Sequence, residues 1–408
     1  MQACVVPLFV ASDSRMCMVK NIGNILSPVG KKHYICRNIG IMKVCIVAGA
    51  RPNFIKVAPL VRAIEKAAST GCGISSLLVF TGSSDDPTLE PSLFDDLLLR
   101  HPDICLGADC KNLNELTGEV MSRFEVFLQA HPVDIVIVVD DLASTMAAAI
   151  VAKKQGLLLA HLVAGTRSFD INMPKEINRL VIDGLSDYLF TAGTSSNSTA
   201  TREGAELSKI YMVGNILMDT LRFNYNRFVK PAEWDKLGLK EREYLVFTLN
   251  RKKLIADTEN LRSMIAAITE EAAGVPVIAP LRSKAAATVI QLLPPQSPIR
   301  VVPPMPYLEF GYLTREAKGI ITDSGNVAEE ATFNGVPCIT LNSYTEHIET
   351  VTVGSNVLVG EDAEKLSEAV ARMASGKWKK CGIPDRWDGR SAERIVQILL
   401  SQNVKGKA

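Results

Sequence analysis

The chain has 408 residues, and at about 150 residues per domain that length predicts two units, each able to bury its own core. Lys and Arg total 45 against 44 Asp and Glu, so no excess of positive charge exists to gather nucleic acid or acidic membrane, and an anionic ligand must be held locally. Nine cysteines without a CxxC pair argue against a disulfide framework or a zinc ribbon. The longest apolar stretches, such as Ile135 to Val139, are far shorter than the ~20 residues of a membrane helix, so the expected setting is the cytoplasm, with no membrane partner.

Residues 1–41 carry an apolar patch from Val5 to Ala11 without a charged segment before it, a poor secretory signal. They are read as an extension, disordered or not translated, with Met42 opening the first strand. From Lys43 onward, short β-branched runs alternate with helical spacing, the pattern of βα units around a parallel sheet. Strands are predicted at 43–48, 76–81, 134–139, 158–163, 187–191 and 209–213, with helices at 55–67 and 143–154. The pattern restarts with strands at 244–248, 275–279, 299–302, 319–322 and 337–341 and helices at 257–271, 308–316 and 325–334. The predicted division is a first Rossmann-like domain over 42–221, a second over 222–385, and a terminal segment over 386–408 whose helix packs back on the first domain. Two doubly wound sheets facing each other would hold a ligand outside the C-terminal ends of their strands.

Gly49-Ala-Arg-Pro-Asn-Phe-Ile-Lys56 leaves the first strand and opens a helix. Such a turn offers free N–H groups, and Arg51 and Lys56 add charge, a combination suited to phosphate. It is not GxGxxG, which weighs against a dinucleotide dehydrogenase. Thr322 to Glu330 repeats the arrangement in the second half. Ser324 with the amides of Gly325 and Asn326 could take a diphosphate, and Glu330 could accept from ribose hydroxyls. Ordinary N-capping by Asp323 or Ser324 with Glu329 explains the same residues.

Asp140 and Asp141 end a buried strand, so one carboxylate should face the cleft. After the next strand come His161 to Arg167 and Pro174 to Arg179, where Arg167, Glu176 and Arg179 are candidate site residues. A helix-start ion pair would serve equally for Glu176 and Arg179.

Together with Val213-Gly-Asn215 and Thr345-Glu346, these segments stand in the order and spacing of the non-hydrolysing UDP-N-acetylglucosamine 2-epimerases, which the chain resembles from about Lys43 to Gly360. The resemblance implies a GT-B fold, α/β with two Rossmann-like domains facing across a cleft, a UDP-sugar such as UDP-GlcNAc as ligand, and a homodimer. It implies no redox cofactor and no required metal. In that family a base removes the C2 proton as UDP leaves C1, and the unsaturated sugar is reprotonated on its other face before UDP adds back. That chemistry asks for acid/base groups on both faces and cations for the diphosphate.

Carried over residue by residue, the family's Gly-Asp-Thr carboxylate falls on Asp141. The glutamate of its His-Val-Glu-Ala-Gly falls on Val163, and its Pro-Glu-Glu becomes Lys175 and Glu176. Two family histidines fall on Asn250 and Arg282, and the Gln-His pair tied to regulatory UDP-sugar binding is Ser83-Ser84. Asp141, Glu176 and Lys175 are therefore the catalytic candidates. The resemblance places Arg51, Lys56, Arg179, Phe310, Ser324, Gly325, Asn326, Glu330, Glu346 and His347 in the UDP-sugar site, joined by Arg167, Asn250 and Arg282. Valine cannot carry a proton and asparagine does not titrate near neutrality, so a UDP-sugar-binding subunit without turnover is the alternative. A GT-B glycosyltransferase is a third reading, on fold alone.

Overall fold

A computed structural model describes residues 41–405 apart from Lys111, with the side chains of 402–405 excepted. The expectation for 1–41 thus lies outside the described residues, Ile41 aside.

The first domain alternates β1 (Met42–Ala48), α1 (Arg51–Ser69), β2 (Ile74–Phe80), α2 (Pro91–Leu97), β3 (Ile104–Cys105), α3 (Leu113–Ala130), β4 (Ile135–Val139), α4 (Ala143–Lys154), β5 (Leu158–Ala164), α5 (Pro174–Leu185), β6 (Tyr188–Thr191), α6 (Thr194–Arg202), β7 (Ile210–Met212) and α7 (Ile216–Asn224). The second runs α8 (Ala232–Lys236), β8 (Leu245–Thr248), α9 (Lys252–Ala256), α10 (Thr258–Glu271), β9 (Val277–Pro280), α11 (Ser283–Leu292), β10 (Ile299–Val302), α12 (Tyr307–Arg315), β11 (Gly319–Thr322), α13 (Gly325–Asn334), β12 (Cys338–Thr340), α14 (Glu349–Thr352), β13 (Asn356–Leu358) and α15 (Ala363–Ala374), before the terminal α16 (Ser391–Lys405).

The sheets have seven strands in the order β3-β2-β1-β4-β5-β6-β7 and six in the order β10-β9-β8-β11-β12-β13. Every strand pairing is parallel. Helices cover both faces, which is why Ile135–Val139 and Leu245–Val246-Phe247-Thr248 are buried along their whole length rather than alternating. The strand order reverses between β1 and β4 in one sheet and between β8 and β11 in the other. Outside those reversals the following turns diverge and leave a crevice.

The boundary drawn after 221 falls inside α7, and Trp234 on α8 already belongs to the core of the second sheet. Helix α16 lies against α1 and α7, its Ile395 and Leu399 in the same apolar cluster as Phe54, Leu60 and Leu217. Asp219 on α7 accepts from the backbone N–H groups of Ser391 and Ala392 at 3.0 and 2.8 Å, satisfying the start of α16. No helix among the described residues is long and apolar enough to cross a membrane.

Candidate functional site

The four turns at the two strand reversals line one cleft of about 420 Å3. Ala50, Pro52 and Asn53 follow β1, Asp140 to Leu142 follow β4, Arg251 follows β8, and Asp323 to Asn326 follow β11. A Cβ on Gly49 would stand 2.3 Å from Ser144 Oγ and 3.1 Å from Thr81 Oγ1, so only glycine lets the β1 exit pass this close to the start of α4.

Three pairs of opposite charge organise the first-domain wall. Lys56 Nζ lies 2.6 Å from Asp140 Oδ1, and Asn53 Nδ2 donates to Asp140 Oδ2 at 2.8 Å. Burial works against the Lys56 ammonium, yet the Asp140 charge outweighs it and holds its pKa above the ordinary lysine value. Lys175 Nζ lies 3.1 Å from Asp141 Oδ1. Behind them Arg179, with a side chain only 1% exposed, binds Asp141 Oδ2 through Nε at 2.8 Å and Nη2 at 2.5 Å. Burial pushes the Asp141 carboxyl up, but Lys175 and Arg179 together hold it below the usual aspartate range.

The second-domain wall is built on the start of α13. Ser324 occupies its N-cap without a side-chain cap, and a Cβ on Gly325 would find its nearest atom 4.0 Å away, so the first amides of the helix open onto the cleft. Asp323 Oδ2 accepts from the backbone N–H groups of Asn250 and Arg251 at 2.6 Å each, tying the two switch-point turns together. The capping alternative therefore fails at Ser324, and Glu329 is engaged elsewhere, accepting from Asn215 Nδ2 at 2.6 Å across the domain boundary.

A second, larger groove of about 810 Å3 is lined by Arg51 at the start of α1. Arg51 from the first domain and Arg282 from the second both line it, with Thr88 and Glu90 on one side and Val302 to Pro304 on the other. Burial, with the nearby Arg282 charge, brings the Arg51 pKa below its ordinary value against the pull of Glu90. Among the described residues neither arginine has a carboxylate within ion-pair distance, unlike Lys56, Lys175 and Arg251 in the cleft. Free positive charge is thus concentrated at the groove end.

Of the residues expected in the site, Lys56, Asp141, Lys175, Ser324, Gly325, Asn326 and Glu346 meet in the cleft, and Arg51 and Arg282 meet in the groove. The others stand apart. Glu176 is buried away from the cleft, where Ser168 N, Ser168 Oγ and Phe169 N each donate to it at 2.9 Å and Arg179 Nη1 lies 3.1 Å away. A carboxylate with that many donors is a loop anchor, not a base poised for substrate. Arg167 points to a separate depression, its guanidinium on Asp183 at 2.8 Å and on Glu203 at 2.5 Å. Arg179 lies behind the cleft wall and offers the ligand no surface.

Asn250 leaves its side chain exposed and contributes only its backbone N–H. Phe310 packs on the second-domain core. His347 is buried against Trp387, 3.8 Å from Glu329. Glu330 is buried beside Glu329 with no hydrogen bond to its carboxyl among the described residues, and burial first, then Glu329, pushes its pKa to about 8. Val163 sits at φ 75 beside a register shift between Leu162 and Ala164, an uncommon conformation for a β-branched residue.

Sequence reasoning missed Arg251, Asn53 and Tyr344. Arg251 Nη1 is held by Asn342 Oδ1 at 2.8 Å and Glu361 Oε1 at 3.1 Å. Its place directly after β8 was the available signal. Asn53 accepts from Gly49 N at 2.9 Å and Ala50 N at 3.1 Å, and nothing in its spacing announced that role.

Residues 66–400 match the sequence model of a family described as UDP-N-acetylglucosamine 2-epimerase. The chain is 36% identical over 371 residues to the UDP-N-acetylglucosamine 2-epimerase of Methanocaldococcus jannaschii, covering 88% of this chain and 99% of that one. It is 33% identical over 362 residues to the UDP-2,3-diacetamido-2,3-dideoxy-D-glucuronate 2-epimerase of Pseudomonas aeruginosa, with the same coverage. The crystal structure of the Methanocaldococcus jannaschii UDP-GlcNAc 2-epimerase in complex with UDP-GlcNAc and UDP superposes with a TM-score of 0.76 at 34% identity, over 88% of this chain and 99% of that one.

Proposed function

Because this chain belongs to the UDP-N-acetylglucosamine 2-epimerase family, we propose that it interconverts UDP-GlcNAc and UDP-ManNAc by eliminating UDP and adding it back. The observation that carries this reading is the meeting of four switch-point turns in one cleft, with two arginines outside ion-pair distance of any described carboxylate lining a second groove. The anionic nucleotide belongs at the groove end, near Arg51 and Arg282. The neutral sugar belongs at the cleft end, where each cation already has its carboxylate.

In the reaction the C2–H bond and the C1–O bond to UDP break together, leaving a 2-acetamidoglucal. A proton then returns to the opposite face of C2 as UDP re-forms its bond to C1. Asp141 and Lys175, paired at 3.1 Å on the first-domain wall, are the groups assigned to proton transfer on the ring face turned to that wall. Lys175, whose side chain is 55% exposed, can leave that pair for the ligand and free Asp141 Oδ1, while Oδ2 stays on Arg179. Incubation with UDP-GlcNAc in D2O tests the reading: deuterium at C2 together with the ManNAc epimer supports it, and neither after a day of incubation defeats it.

One observation favours a second reading, a UDP-sugar-binding subunit without turnover. Val163 stands where the family resemblance puts a glutamate, and Glu176 spends its oxygens on the 168–169 loop. Calorimetry with UDP-GlcNAc separates the two, since binding without C2 exchange is the signature of the second.

The assembly proposed is a homodimer in the cytoplasm. Its support is the outward row of Ile177, Leu180 and Gly184 on α5 with Phe169 and Ile171 before it, an apolar face left open in the single chain. Light scattering on the purified protein decides it, a monomer mass at micromolar concentration being the contrary result.

A further inference from the structure

His161 belongs to a segment that the proposed reaction does not use, and its surroundings are unusual. The ring is buried to 1% exposure in the middle of β5. Its Nδ1 lies 2.5 Å from Asp183 Oδ1, and its Nε2 lies 3.0 Å from the carbonyl oxygen of Asp140. Both neighbours are acceptors. An N–H at Nε2 donates to the Asp140 carbonyl while Asp183 fixes the ring at its other nitrogen.

Asp183 is placed to be the counter-charge. Its second oxygen accepts from Gly165 N at 3.0 Å and lies 2.8 Å from Arg167 Nη2. Burial pushes its carboxyl up, but the His161 and Arg167 charges outweigh burial and hold it low. Arg167 is in turn braced by Glu203 at 2.5 Å. The charged groups facing the ring are therefore Asp183 on α5, Arg167 beyond β5 with Glu203 behind it, and the Asp140–Lys56 pair across the turn.

The turn that His161 touches is the one that carries the cleft carboxylates. Asp140 has φ 58, a left-handed conformation that sends its carbonyl inward to the ring while its side chain reaches Lys56 and Asn53. Without the ring that carbonyl would be a buried acceptor with no donor, a state that backbone groups avoid by rearranging.

We propose that His161 is the positioning residue of the catalytic turn: a buried ring, fixed by Asp183, that holds the Asp140 backbone so that Asp140 and Asp141 both face the sugar. This rests on the epimerase reading for its consequence in catalysis, but not for its chemistry.

The test uses the full chain with ring-15N histidine, the His161 signals being assigned by their loss in His161→Gln. Both ring nitrogens are expected at hydrogen-bonded shifts, and Asp183→Asn is expected to move the Nδ1 signal. Ring signals that are the same in the unmodified protein and in Asp183→Asn overturn the proposal. Amide exchange by mass spectrometry supplies the second readout. In His161→Gln, or in Asp183→Asn should the first variant not fold, peptides spanning 139–146 are expected to exchange about tenfold faster while 325–334 stay unchanged. Unaltered exchange over 139–146 overturns the positioning role.

For catalysis, deuterium incorporation at C2 is expected to slow more than about tenfold in the variant with UDP affinity within about threefold. If the unmodified protein incorporates no deuterium, the epimerase reading fails, and the ring spectrum and amide exchange still decide this one.

Discussion

Arg179 of the first domain donates through Nη2 to Glu346 of the second, so a guanidinium only 1% exposed is shared across the domain boundary. The same group holds Asp141 and Glu176. Removing it would take a shared cation from three carboxylates, two of them almost fully buried. Arg179→Met is therefore expected to destabilise the protein by about 3–5 kcal/mol in urea unfolding, the cost typical of breaking a buried charge network. Glu346→Gln, at a side chain 36% exposed, is expected to cost about 1 kcal/mol or less. Equal losses for the two would contradict the asymmetry of burial that the argument uses.

The exit of β1 gives a second prediction. A methyl group on Gly49 would collide with Ser144 Oγ at 2.3 Å. Gly49→Ala should lower stability by about 1–3 kcal/mol and displace the turn that carries Arg51. Ser144→Ala removes the colliding atom, so the double variant should recover part of the loss, and the coupling is expected to exceed about 0.5 kcal/mol in a double-mutant cycle. Simple additivity would show that the clash is relieved by some other movement.

Much of this was legible in the sequence, for identifiable reasons. Strands such as 43–48 and 319–322 are continuous apolar runs, and a parallel sheet buried on both faces demands that pattern. Helices 113–130 and 194–202 escaped notice because long polar faces dilute their periodicity, and β3 has only two residues at a sheet edge. The turns after β1, β4 and β11 announced themselves through glycine and paired acids. Which side chains face the cleft did not. Glu176 and Lys175 are neighbours on one helix, yet a rotation of about 100° puts one on the loop behind and the other in the cleft. Arg167 carries the same charge as Lys56 and leaves the site because Asp183 and Glu203, 16 and 36 positions later, close around it. Partners so distant in sequence are invisible to local spacing.

Glu330 makes stability depend on pH in a definite direction. Its folded pKa of about 8 lies above the ordinary 4.5, because burial and then Glu329 disfavour its charge. The folded protein therefore keeps a proton that the unfolded chain releases. That contribution is fully present below about pH 4.5 and is lost as pH rises through about 8, a change on the order of a few kcal/mol. Glu330→Gln should flatten this part of the profile and leave the variant the more stable of the two at about pH 9. Parallel profiles in chemical unfolding between about pH 5 and about pH 9 would show that the carboxyl is solvated in the folded state.

The division of labour between groove and cleft predicts how binding energy is distributed. Arg51 and Arg282 line the groove without ion partners, so a diphosphate placed there gains their charge without displacing a carboxylate. Each alanine substitution should weaken UDP binding by about 1.5–3 kcal/mol, roughly ten- to a hundredfold in Kd. Lys175→Ala should behave otherwise. Its ammonium is committed to Asp141 at the sugar end, so the affinity for UDP alone should stay within about threefold while C2 exchange falls by about a hundredfold or more. Calorimetry with UDP, set beside deuterium incorporation from D2O, separates these patterns. A Lys175→Ala protein that loses UDP as severely as Arg51→Ala would place the diphosphate in the cleft and reverse the orientation of the ligand.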